Sequence, residues 1–170
     1  MTGHRLLVLG GARSGKSRLA QSRAEQCGGT LTYVATAEAW DDEMRERIAL
    51  HQADRDARWS TLEAPLDLPA AIAARSAPGE TLLVDCLTLW ATNVLLAERD
   101  LDAEITVLVE AVTGFRGTLI LVANEVGLGI VPDNALARRF RDFAGRINQA
   151  VAAAADEVIF VAAGLPLQLK

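Results

Sequence analysis

Short, continuous apolar runs alternate with amphipathic stretches along most of the chain. Residues 6–9, 31–35, 81–85, 118–122 and 157–161 are the clearest runs. They are continuous rather than alternating, which predicts strands covered on both faces of a parallel sheet. The strongest helical pattern covers residues 134–156. There Leu136, Phe140, Phe143, Ile147, Val151 and Ala154 recur at spacings of three and four, with Arg138, Arg141 and Asp142 on the other face. Residues 18–25 predict a shorter helix, and 87–112 a long one broken near Arg99 and Asp100. Gly28-Gly29, Pro78-Gly79 and Gly114 mark boundaries. Alternation of strand and helix predicts a three-layer α/β fold, and residues 1–170 are short enough for one domain.

Composition narrows the function classes. The formal net charge is −5, which argues against a nucleic-acid partner, since that surface needs a basic stripe. Only eight residues are aromatic (three Trp, one Tyr, four Phe), so aliphatic side chains must build the core. Cys27 and Cys86 fit no metal-ligand spacing and read as reduced, packed thiols. The first strand begins almost at the N-terminus and no apolar run reaches the roughly 18 residues of a membrane span. A cytoplasmic location is the expectation.

One segment carries most of the chemistry. Gly10-Gly11-Ala12-Arg13-Ser14-Gly15-Lys16-Ser17 follows a predicted strand and opens a predicted helix, the order a phosphate-binding loop requires. Glycines let the backbone approach a polyanion and turn successive N–H groups toward it. In this reading Lys16 serves the β- and γ-phosphates and the Ser17 hydroxyl faces Mg²⁺. The chain is thus expected to bind a nucleoside triphosphate through a P-loop.

Such a loop works with a carboxylate at a nearby strand end. Asp85 closes the run 82–84 and suits either that metal role or capping of the next helix, and one residue can do both. Asn124-Glu125 opens a second candidate, the glycine-rich segment 124–132, which a plain surface turn would also explain. His4 is read as part of a mobile N-terminus and as incidental. His51 lies within residues 41–55, which read as a helix, and four-residue spacing puts Arg47, His51 and Arg55 on one stripe. Flanking cations favour a neutral, nucleophilic imidazole and could hold phosphate oxygens. The pattern equally fits an ordinary surface histidine.

Taken together, these residues closely resemble the bifunctional adenosylcobinamide kinase/adenosylcobinamide-phosphate guanylyltransferase family of cobalamin biosynthesis. The resemblance runs nearly end to end. It includes the P-loop through Arg18, Tyr33-Val34-Ala35-Thr36-Ala37, Asp41-Asp42-Glu43-Met44, His51, Arg55, Trp59, the block 124–132, and Arg138-Arg139-Phe140-Arg141-Asp142. It implies a RecA-like core and two reactions. ATP or GTP phosphorylates the aminopropanol hydroxyl of adenosylcobinamide, and GMP then passes from GTP to that phosphate. It further implies that His51 carries GMP as a phosphoramidate. The nucleotide is expected to contact Gly10 to Ser17, Ala35, Thr36, Ala37, Gln52, Ala53, Asp54, Arg55, Glu63 and Asp85. A trimer is likewise implied. A simple small-molecule kinase and a RecA-like nucleotide switch are the competing readings.

Overall fold

The computed structural model describes residues 3–38 and 55–170. In chain order the described elements are β1 (His4–Gly10), α1 (Lys16–Cys27), β2 (Thr30–Ala35), β3 (Trp59–Glu63), α2 (Leu68–Ala74), β4 (Glu80–Asp85) and α3 (Leu87–Leu96). They continue with α4 (Leu101–Gly114), β5 (Thr118–Asn124), α5 (Ala135–Ala154), β6 (Glu157–Ala162) and β7 (Leu165–Gln168). The helix predicted over 41–55 lies, but for Arg55, outside the described residues, as do His51, Gln52, Ala53 and Asp54.

All seven strands join one sheet in the order β3-β2-β4-β5-β1-β6-β7. Every pairing is parallel except β6 with β7. The continuous apolar runs are buried on both faces because helices cover both. On one face Leu6, Val8, Tyr33, Leu83, Ile120 and Val122 pack with Ala20 and Ala24 of α1. On the other, Leu7, Leu82, Val84, Leu119 and Leu121 pack with Ile72, Trp90, Leu108, Phe143 and Ile147 of α2 to α5. Trp90 is fully buried and donates its indole N–H to the Leu66 carbonyl at 2.9 Å, so its one polar atom is satisfied.

The predicted long helix divides where Asp100 caps α4, its carboxylate accepting from the backbone N–H groups of Asp102 and Ala103. Asn134 caps α5 in the same way through Ala137. Two strands and one helix escape the hydrophobic pattern. β3 exposes Ser60, Thr61 and Glu63 at one sheet edge, and β7 is exposed throughout and contains Pro166 at the other. α2 has only seven residues.

Three expectations need correction. Leu136 is half exposed, since burial on α5 starts with Phe140; periodicity identifies a face but not how far its neighbour extends. His4 lies within β1, its Nε2 3.3 Å from Glu157 Oε2. Cys27, at the end of α1, is exposed rather than packed. Cys86 is buried, and burial, reinforced by the Asp85 charge, pushes its thiol up to about 11. Iodoacetamide at pH 8 is therefore expected to modify one thiol per native chain and two per unfolded chain, counted by intact mass. Rapid double labelling of the native protein would contradict this packing.

Candidate nucleotide site

The P-loop leaves β1 at Gly10 and enters α1 at Lys16. Gly15, at φ 94°, supplies the left-handed turn that starts the helix, and Arg13 also has positive φ, 55°. Gly10 is required by space, because a Cβ there would stand 2.6 Å from both Ser14 Oγ and the Val161 carbonyl oxygen. Neighbouring elements fasten the loop. The Gly164 N–H, in the turn between β6 and β7, donates to the Ser14 carbonyl at 2.8 Å. The Glu125 N–H donates to the Gly10 carbonyl at 3.0 Å. Lys16 is buried, with its Nζ donating to the Gly11 carbonyl at 3.1 Å. Ser14 Oγ is buried without a hydrogen-bond partner among the described residues, an unusual state for a hydroxyl and one that a seated anion would relieve.

Gly10→Ala is expected to weaken nucleotide binding at least about tenfold and to destabilise the chain by about 1–3 kcal/mol, through overpacking against backbone that cannot move aside. Nucleotide titration and chemical denaturation measure the two effects. Unchanged values for both would show that the loop is looser than described.

The acidic side of the site lies at the carboxyl ends of β3, β2 and β4. Ala35 of β2 pairs with Glu63 of β3 on one side and with Asp85 of β4 on the other, so the three positions share a row. Asp85 lines an open cleft of about 430 Å³ that also contains Ser17, Arg18, Glu25, Tyr33 and Arg55. It does not cap α3, whose N-cap is Cys86. Thr36 lies just beyond β2 and is fully buried. Its hydroxyl accepts from the Cys86 N–H at 2.9 Å and donates to the Cys86 carbonyl at 2.7 Å. That side chain therefore positions the segment after Asp85. The Thr36 carbonyl accepts from Asn93 Nδ2 at 2.8 Å. Ala37 is half-buried beside it.

Arg55 sits with its guanidinium 3.6 Å from the Tyr33 ring centroid. Burial chiefly, with the Asp85 charge adding to it, raises the Tyr33 phenol well above its ordinary value, against the opposing pull of Arg55. The phenol is thus neutral at physiological pH, beside the Arg55 guanidinium. The structure brings Gly10 to Ser17, Ala35, Thr36, Arg55, Glu63 and Asp85 to one end of the sheet. Sequence reasoning missed Gly164 and the cleft-lining Gln21 and Glu25. For Gly164 the available signal was the Ala-Gly dipeptide between two strand-like pairs; Gln21 and Glu25 give none.

A phosphate loop on a central strand, with an acid ending a strand one place removed, defines a P-loop nucleotide-binding enzyme with a RecA-like core. The solved structure of the RadB recombinase agrees in fold, with a TM-score of 0.56 at 14% identity, covering 94% of this chain and 74% of that one. The chain belongs to the cobinamide kinase / cobinamide phosphate guanyltransferase family, whose model matches residues 6–169. It is 51% identical to the bifunctional adenosylcobalamin biosynthesis protein CobP of Pseudomonas aeruginosa, over 96% of each chain. It is 44% identical to the bifunctional adenosylcobalamin biosynthesis protein CobU of Salmonella typhimurium, over 97% of this chain and 99% of that one. Among the described residues no helix is long and apolar enough to cross a membrane.

Proposed function

We propose that this chain phosphorylates adenosylcobinamide with ATP or GTP and then transfers GMP from GTP to the adenosylcobinamide phosphate, giving adenosylcobinamide-GDP. The observation that carries the reading is a family match across nearly the whole chain, coinciding with a formed phosphate loop and its acid-lined cleft. In the kinase step the substrate hydroxyl attacks the γ-phosphorus and the nucleoside diphosphate leaves. The loop amides and Lys16 hold the β- and γ-oxygens on which charge accumulates.

In the transfer step a ring nitrogen of His51 attacks the α-phosphorus, the α–β bridge breaks, and pyrophosphate leaves with its charge held by the same donors. The phosphate of the corrinoid then attacks the carried GMP, and the phosphorus–nitrogen bond breaks. Arg55, Glu63 and the segments 35–37 and 52–54 complete the nucleotide contacts in this reading.

Ser17 and Asp85 offer a hydroxyl and a carboxylate in one cleft, hard oxygen donors of the kind Mg²⁺ takes together with substrate phosphates, so they fit that ion. When bound there, Mg²⁺ would neutralise charge shared between the phosphate oxygens. We also place the enzyme in the cytoplasm as a homotrimer acting on small molecules rather than nucleic acid. The family resemblance supports the trimer, and the net charge of −5 supports the choice of substrate.

The test is incubation of the purified chain with Mg²⁺, GTP and adenosylcobinamide, with label in either the α- or γ-phosphate. The expected products are a γ-labelled corrinoid monophosphate and an α-labelled corrinoid-GDP. Monophosphate alone would reduce the enzyme to a kinase. Nucleotide hydrolysis without a corrinoid product would leave a switch module.

A further inference from the structure

We infer that the connection between β5 and α5 is the surface on which the corrinoid acceptor docks, with Leu128, Ile130 and Val131 as its apolar contacts. The inference rests on the function proposed above. Three of four successive residues here are large aliphatics, exposed by 82% (Leu128), 97% (Ile130) and 61% (Val131). Single exposed aliphatics are ordinary, but a contiguous group at a functional edge marks a binding surface.

The polypeptide beneath them is held firmly. Glu125 Oε1 accepts from the Gly127 N–H at 2.5 Å, and Arg141 Nη2 donates to the Gly127 carbonyl at 2.6 Å. At the other end Arg138 Nη1 donates to the carbonyls of Pro132 and Asp133 at 2.9 and 2.6 Å. Both ends are thus tied by arginines of α5, so the aliphatic side chains are displayed by a shaped loop that needs little further ordering on binding.

Continuity with the phosphate loop identifies the occupant. The segment starts at Glu125, whose N–H is bonded to the first P-loop glycine, and Asn124 pairs with Gly10 in the sheet register. The root of the segment is therefore fixed beside the triphosphate site, and Leu128 and Ile130 follow it three and five residues further along the chain. Both reactions require a large acceptor there, delivering first a hydroxyl and then a phosphate to the nucleotide. A corrin macrocycle is rimmed by methyl groups and amides, which suits an aliphatic ledge.

The test compares the full wild-type chain with Leu128→Ser/Ile130→Ser, both outward-facing positions, and with Val107→Ser, an exposed aliphatic on α4, as the control. Guanylyl transfer is followed at saturating GTP and Mg²⁺ with adenosylcobinamide phosphate varied. The double variant is expected to raise KM for the corrinoid about tenfold or more with kcat changed less than about threefold, the signature of lost uniform binding. Its Kd for GTP should match wild type, and Val107→Ser should behave as wild type. An unchanged KM overturns the docking assignment while the proposed function stands. Dissociation of the double variant to a smaller species in sedimentation velocity, with activity lost at all corrinoid concentrations, overturns it in favour of contact between copies of the chain. A wild-type protein that binds GTP but makes no corrinoid product overturns the proposed function itself, and this inference with it.

Discussion

Lys16→Ala lowers kcat/KM for phosphorylation and for guanylyl transfer together, each by about 10²–10³-fold, the usual loss when one preorganised charge-stabilising donor is removed. The joint loss is the informative part. The two reactions break different bonds of the triphosphate, but both place developing charge on the β- and γ-oxygens. In the function proposed above a single ammonium, at the start of α1, serves both. Its position is set before substrate arrives, because Lys16 is buried at the start of α1 with its Nζ 3.1 Å from the Gly11 carbonyl oxygen. Lys16→Arg should not restore activity, since a planar fork is larger than the point charge the loop encloses. Steady-state kinetics of both half-pathways, with thermal unfolding to verify the fold, measure the effect. If either reaction proceeds at nearly the wild-type rate in Lys16→Ala, the two activities do not share this loop.

How much of this site was readable from the chain depended on whether each signal is local. The P-loop is one continuous segment whose spacing is its own signature, and Asp85 announces itself by closing an apolar run. The central strands were legible because helices on both faces demand unbroken apolar sequence. β3 and β7 lie at the sheet edges, where one side is solvent and sequence is free to be polar or to include Pro166. The row Glu63–Ala35–Asp85 could not be read at all without the strand order, because it joins residues from three strands. Arg55 over Tyr33 is a contact of the same non-local kind. The inward turn of the Thr36 hydroxyl to the Cys86 backbone is equally non-local, and no spacing rule reveals it. The Gly164 turn supports the P-loop from the far end of the chain, and only the antiparallel β6–β7 pairing brings it there.

His51→Ala is expected to abolish guanylyl transfer, by about 10⁴-fold or more as for loss of other covalent nucleophiles, while phosphorylation stays within a few-fold of wild type. The asymmetry follows from the division of labour proposed above: the kinase step needs the phosphate loop and an acceptor hydroxyl, and only the second step needs a nucleophile on the protein. His51 lies outside the described residues, but its stripe partner Arg55 lies within them. Arg55 lines the same cleft as Ser17 and Asp85. Arg55 itself lies in a bend rather than a helix, so the assignment of His51 rests on the family resemblance. The diagnostic measurement uses α-labelled GTP without acceptor, followed by denaturing electrophoresis. Wild type should retain label that survives alkali and is lost in acid, as a phosphoramidate is. His51→Ala should retain none, and γ-label should appear on neither protein. Adding adenosylcobinamide phosphate to the isolated labelled protein should discharge the label into corrinoid-GDP. Label that persists in His51→Ala would move the nucleophile elsewhere. Efficient transfer with no labelled protein at any time would mean that the corrinoid phosphate attacks GTP directly, leaving the P-loop and its cleft as the whole of the catalytic machinery.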